Sequence, residues 1–125
     1  MNSINLKPEI KELYKLNEFI LNELTHEDLK VNLIVEEIFV NIIEYSKTEF
    51  INVNVNFEDS ILTIEFIDNG IQFNPLSKET PKLPNNIDEA EIGGLGIYLT
   101  RKIADELNYQ YINGENHLKI IKKVK

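Results

Sequence analysis

The chain has 125 residues, 42% hydrophobic and 27% charged, a length and balance that fit one globular domain with a buried core. Its net charge of −8 at pH 7 argues against a nucleic-acid partner, because phosphate contacts need a basic face. There is no cysteine, hence no disulfide or thiolate metal site; no apolar run approaches the roughly 20 residues that span a bilayer, no signal peptide is visible, and a cytoplasmic location is the simplest expectation.

Residues 2–7 alternate polar and apolar, which predicts a short strand. Pro8 suits a helix start, and Ile10, Leu13, Tyr14, Leu16, Ile20, Leu21 and Leu24 then recur at helical spacing to about residue 24. Thr25 reads as the N-cap of the next helix, with acidic residues in its first turn. That helix, residues 26–46, is apolar around most of its circumference, so it is expected to be buried. Residues 50–57 alternate Ile51, Val53, Val55 and Phe57 with Asn52, Asn54 and Asn56, the pattern of a half-buried strand. After a turn at 58–60, residues 61–67 return as its hairpin partner. Residues 68–92 turn polar and hold three of the four prolines; so long a loop is often a lid over a ligand. A helix is predicted over 93–107, then a final hairpin of 109–112 and 118–124 around Asn113-Gly114. No internal repeat or linker is visible, so residues 1–125 are expected to be one domain. The order β-α-α-β-β-loop-α-β-β predicts an α+β fold, a two-layer sandwich with a mostly antiparallel, mixed sheet and helices on one face.

Three motifs stand out. Glu37 and Asn41 are four apart in the apolar helix, so they project from one side. A carboxylate and an amide on a buried side need partners; the plain alternative is a polar stripe facing water. Asp68-Asn69-Gly70 ends the second hairpin strand, and Phe73-Asn74-Pro75 follows. A carboxylate there can accept the exocyclic amine of adenine, which guanine replaces with a carbonyl, and glycine permits a positive φ and close backbone approach to a base. The plain alternative is a tight turn. Gly93-Gly94-Leu95-Gly96 opens a helix, where backbone N–H groups and the helix dipole favour anions. The alternative there is a hinge. No Gly-Lys-Ser/Thr follows, so this is not a P-loop. Arg101 and Lys102 read as a solvated helix face. Glu36, rotated about 100° from Glu37, reads as a solvated residue or ion-pair partner. Glu44 could edge the site. His26 and His117 lack metal-ligand spacing, and the tyrosines and phenylalanines sit mostly at core periodicities.

In this order, Glu37–Asn41, Asp68–Pro75 and Gly93–Ile97 resemble the N, G1 and G2 boxes of the GHKL (histidine kinase-like) ATPase superfamily. Within it, the small bacterial anti-sigma factor serine/threonine kinases are the most similar, over almost the whole chain. The resemblance implies a Bergerat-type sandwich that binds ATP and Mg2+. It implies Glu37 as catalytic base, Asn41 as magnesium ligand, Asp68, Gly70 and Phe73 at the adenine, and Gly93, Gly94, Leu95 and Gly96 at the phosphates. It further implies phosphorylation of a STAS-type anti-anti-sigma partner, sequestration of a sigma factor, and a homodimer as a working form. A non-catalytic ATP-dependent interaction switch uses the same binding residues and stays open as an alternative. Two departures from the family pattern are Glu44-Tyr45 after Ile43, and a terminal strand, Leu118-Lys119-Ile120-Ile121, without the threonine that many relatives place near adenine. Binding ATP to so acidic a chain requires backbone N–H groups, a helix N-terminus and a divalent cation to supply positive potential.

Overall fold

The computed structural model describes residues 2–75 and 100–124. Five strands, β1 (Asn2–Leu6), β2 (Ile51–Glu58), β3 (Ile61–Asp68), β4 (Glu106–Ile112) and β5 (Glu115–Lys123), form one sheet in the order β1-β2-β3-β5-β4. All four pairings are antiparallel, so the expected mixed sheet is antiparallel throughout the described strands. Two helices, α1 (Leu13–Leu24) and α2 (Leu29–Tyr45), lie between β1 and β2 in sequence. The architecture is the α+β sandwich that the element order predicts.

Both hairpins turn through two residues with left-handed backbone. Asp59 and Ser60 have φ of 52° and 65°, and Asn113 and Gly114 have 52° and 78°. Such turns match the right-handed twist of the strands they join. They also fix register, and register decides which residues enter the core. Val53, Phe66, Leu118 and Tyr109 stand side by side across β2, β3, β5 and β4. Val55, Ile64, Ile120 and Leu107 form the next row. The buried stripe of α2 (Val31, Ile34, Val35, Ile38, Phe39, Ile42) follows helical spacing, and α1 adds Leu16, Ile20 and Leu24 to the same core. The opposite sheet face is polar: Asn52 Nδ2 donates to Asn5 Oδ1 at 2.7 Å, and Asn54 Nδ2 to Asn52 Oδ1 at 3.0 Å.

Several boundaries differ from the sequence expectation. The helix after Pro8 begins as a 3₁₀ turn, Ile10–Glu12, and becomes α-helical at Leu13. Thr25 is not an N-cap. It closes α1 in the left-handed conformation, φ 65°, with its N–H bonded to Leu21 O. Asp28 caps α2 instead, accepting from the N–H groups of Lys30 and Val31 at 3.0 and 3.1 Å. Its short carboxylate reaches the unpaired N–H groups of the first turn, as an N-cap must. Nor is α2 buried all round: Leu29 at its start is 76% exposed. The last predicted helix does not reach Leu107. Residues 100–103 are helical and β4 begins at Glu106. Leu107 satisfies a helical spacing from Ile103 and a strand alternation with Tyr109, and pairing opposite Ile120 decides for the strand.

Candidate functional site

The polar cluster occupies one end of the core. In β3 the inward positions are Leu62, Ile64, Phe66 and Asp68, and in β5 they are Asn116, Leu118 and Ile120. Asp68 thus takes the last core-facing slot of β3 and Asn116 the first of β5, and the two are direct register partners. They are 2% and 3% exposed. Buried polar groups of this kind must be hydrogen-bonded to be tolerated.

They are. Asp68 Oδ1 accepts three bonds, from Ser46 Oγ at 2.6 Å, Gly70 N at 2.9 Å and Asn116 Nδ2 at 3.0 Å. Oδ2 takes none of them. Ser46 is the C-cap of α2, followed by Lys47 in the left-handed region, φ 54°. That reversal is a common helix ending, and it leaves the fully buried Ser46 against the end of β3. The Ser46 carbonyl accepts from Ile71 N at 2.8 Å. Gly70 is needed here for room and not for a positive φ. A Cβ on it would lie 2.1 Å from both the carbonyl oxygen and the hydroxyl of Ser46. Among the described residues, the close backbone approach that Gly70 makes is to the end of α2.

The turn after β3 is pinned on both flanks. Asn69 Oδ1 accepts from Thr48 Oγ1 at 2.8 Å and from Glu49 N at 3.1 Å. Asn116 uses Nδ2 on Ile71 O at 2.8 Å as well as on Asp68, and its Oδ1 accepts from Phe73 N at 2.9 Å and from the Tyr109 hydroxyl. The Phe73 ring packs on Tyr45, with centroids 5.4 Å apart. Burial pushes the Tyr109 hydroxyl above the usual phenol range, and the neighbouring charges of Asp68 and Tyr111 add to that; the Phe73 backbone bond opposes it. Tyr109 is accordingly a protonated donor around neutral pH.

Glu37 and Asn41 lie one turn apart on α2, on the helical path that ends at Ser46. At 1.5 Å per residue, Asn41 is about 7 Å and Glu37 about 13 Å from Ser46 along the axis. Asn41 is 1% exposed and donates from Nδ2 to the Glu37 carbonyl oxygen at 2.6 Å. That bond ties one hydrogen of the amide nitrogen to the helix. Magnesium takes oxygen ligands and usually keeps several waters and phosphate oxygens around few protein groups. One amide oxygen is thus a chemically adequate protein ligand for it. No cluster of three metal-binding His, Cys, Asp or Glu side chains occurs among the described residues.

The structure therefore brings Asp68, Gly70 and Phe73 together and aligns Glu37 and Asn41 along the adjoining helix. Gly93, Gly94, Leu95 and Gly96 lie outside the described residues. Glu44, Arg101 and Lys119 are exposed, and Lys119 is on the polar face of the sheet, paired with Glu65 and Asn108. Glu36 accepts from Asn17 Nδ2 at 3.4 Å, joining α1 to α2. His26 lies at the α1 terminus, Nδ1 2.9 Å from Leu24 O, and His117 pairs with Glu115. Ser46, Thr48, Tyr109 and Asn116 were not anticipated at the site. Tyr109 and Tyr45 contribute to it instead of only filling core. The signal for Asn116 was the alternation Asn116-Leu118-Ile120, visible only if the strand is started before Leu118.

Comparison with known proteins bears on the family and the fold. The family model for the histidine kinase-like ATPase domain matches residues 12–122. The serine/threonine-protein kinase BtrW of Bordetella bronchiseptica is 35% identical over 57 residues, a stretch that spans 46% of this chain and 40% of that protein. Among solved structures, the histidine kinase AdeS of Acinetobacter baumannii superposes with a TM-score of 0.54 at 10% identity, covering 100% of this chain and 68% of that one; this is a likeness of fold. No helix among the described residues is long and apolar enough to cross a membrane.

Proposed function

Because the chain belongs to the histidine kinase-like ATPase domain family, we propose that it binds ATP with Mg2+ and transfers the terminal phosphoryl group to a serine or threonine of a small regulatory protein. The acceptor class we propose is a STAS-type anti-anti-sigma protein, with a sigma factor as a second, sequestered partner. The observation that carries the nucleotide part is the arrangement of Asp68. Among the described residues its three bonds fall on Oδ1, which leaves Oδ2 as an acceptor for the adenine amine. A guanine would present a carbonyl to the same oxygen, and acceptor against acceptor is a strong basis for rejection. The kinase part draws on the named serine/threonine kinase relative and on Glu37.

Phosphoryl transfer needs positioning and charge stabilisation more than covalent chemistry. Asp68 reads the base, and the Phe73–Tyr45 pair walls the adjoining space. Asn41 offers its amide oxygen to the metal, whose contribution when bound is to neutralise charge on the phosphates. Glu37, one turn away, orients the acceptor hydroxyl and takes its proton. Gly93–Gly96 is the proposed phosphate loop.

Calorimetric titration of ATP with and without Mg2+, beside an Asp68→Asn variant, tests the nucleotide site. Magnesium-dependent binding that the variant weakens about ten-fold or more supports it, as expected for loss of a charge-assisted bond. Absence of binding overturns it. Transfer of labelled phosphate to a STAS-fold protein tests the kinase: Glu37→Gln should keep binding and lose transfer. Nucleotide-sensitive partner binding with no transfer by the wild type would establish the non-catalytic switch instead.

A further inference from the structure

We propose that Asn116 is the positioning residue that sets base selectivity, by holding Asp68 with Oδ1 turned into the network and Oδ2 left to read an adenine amine. This rests on the nucleotide reading above and adds to it a residue that the sequence motifs omit.

An asparagine amide has two donor hydrogens and two acceptor lone pairs. Asn116 uses all four. Nδ2 donates to Asp68 Oδ1 at 3.0 Å and Ile71 O at 2.8 Å, and Oδ1 accepts from Phe73 N at 2.9 Å and from the Tyr109 hydroxyl. One side chain thereby ties together the end of β3, the turn behind it, the Phe73 backbone and β4. The amide cannot be flipped. The Phe73 N–H can only donate, so it demands the oxygen end, and the nitrogen must then face the carboxylate. The Tyr109 hydroxyl donates to the same oxygen. No other side chain of this size fits. Aspartate offers acceptors without donors, threonine a single donor, and leucine neither. Register also leaves little slack, because Asp68 and Asn116 are direct cross-strand partners.

Asn116→Asp is the discriminating variant. It keeps the shape and both acceptors but sets a carboxylate against Asp68. Two carboxylates at that distance share a proton until pH rises enough to remove it. The measurement is calorimetric affinity for ATP and for GTP, variant against wild type, at a series of pH values. At about pH 8 the variant should bind ATP about ten-fold or more weakly than wild type and lose preference over GTP, and at about pH 5.5 the shared proton should restore the missing donor and most of the affinity. A variant-to-wild-type ratio that does not change with pH overturns the proposal, whether near one (no role) or uniformly low (packing alone). A nucleotide-free control separates the failures. The variant's melting temperature should fall relative to wild type as pH rises from about 4 to 7. If wild type binds no ATP, the nucleotide reading and the selectivity role both fall, while this melting difference still reports the Asn116–Asp68 coupling. If wild type binds ATP but the melting difference is absent, the positioning role alone falls.

Discussion

Gly70 sits so close to Ser46 that a methyl group on it would meet the Ser46 carbonyl oxygen at 2.1 Å. The neighbour is backbone at the end of α2, so it cannot rotate away. Gly70→Ala must push the turn off the helix and break the Ile71 N to Ser46 O bond and the Ser46–Asp68 bond. Overpacking of this kind costs about 1–3 kcal/mol, and leaving Asp68 short of a donor adds to it. Gly114→Ala is the useful comparison, since Gly114 has φ +78° with nothing within 4 Å of an added Cβ. It should lose only the left-handed preference, about 1 kcal/mol. Urea midpoints of the two variants check this. The expected order is Gly70→Ala well below Gly114→Ala, and the reverse order would mean that Gly70 is held by its conformation and not by contact.

Ser46→Ala isolates one of the three donors on Asp68 Oδ1. The bond is short, 2.6 Å, and buried, so its loss should cost about 1–2 kcal/mol of stability. Nucleotide affinity should fall too, because a carboxylate with fewer fixed donors can turn Oδ2 away from the base. Thr48→Ala removes a brace on Asn69 instead. It should lower stability while moving ATP affinity less. Calorimetry on both variants at one pH decides the comparison, and equal affinity losses would show that the whole turn, not the orientation of Asp68, limits binding.

How far the sequence reveals this molecule depends on how local each determinant is. The alternation Ile51-Val53-Val55-Phe57 and the stripe from Val31 to Ile42 fix element type, because each is a period within one segment. Asn113-Gly114 announces its own turn through the conformations those residues tolerate. Asp68, Gly70 and Phe73 were legible as a motif, and the structure gathers them. Two kinds of feature were not legible. Thr25 and Asp28 are both good cap residues three apart, and only the end of α1 in a left-handed turn at Thr25 leaves the cap to Asp28. Asn116 and Ser46 owe their roles to long-range register. The alternation Asn116-Leu118-Ile120 marks Asn116 only as a core-facing position, and its partners appear when β5 is laid beside β3. Leu107 shows the same limit, since its helical and strand periods coincide and pairing with Ile120 decides between them.

The capping assignment makes its own prediction. Asp28→Ala removes the acceptor for Lys30 and Val31 N–H and should cost about 1 kcal/mol. Thr25→Gly should hold or raise the melting temperature, since glycine relieves the left-handed strain at φ 65° by about 1 kcal/mol while giving up the Thr25 hydroxyl bond to Leu24 O. Were Thr25 the N-cap, Thr25→Gly would cost a few tenths of a kcal/mol and Asp28→Ala would be mild, so a marked fall in melting temperature for Asp28→Ala, with none for Thr25→Gly, assigns the cap to Asp28.

Glu12 supplies a test in acid. Its carboxylate bonds Lys15 Nζ at 3.0 Å and accepts from the Lys7 backbone N–H at 3.2 Å, joining the 3₁₀ turn to the end of β1. The Lys15 bond, followed by the Lys7 N–H, holds its carboxyl below the usual range. A carboxyl with a depressed folded-state pKa stabilises the fold above its unfolded value of about 4.3, and that stabilisation is lost as pH falls through the lower folded value. Glu12→Gln keeps an acceptor for the Lys7 N–H but removes the charge. Wild type should therefore melt above Glu12→Gln at neutral pH, and the gap should close as pH drops below about 4. Melting curves of both proteins from neutral to acid pH give the gap directly. A gap that stays constant into acid would show that the difference does not come from the Glu12 charge and would leave the Lys15 pair without a role in stability.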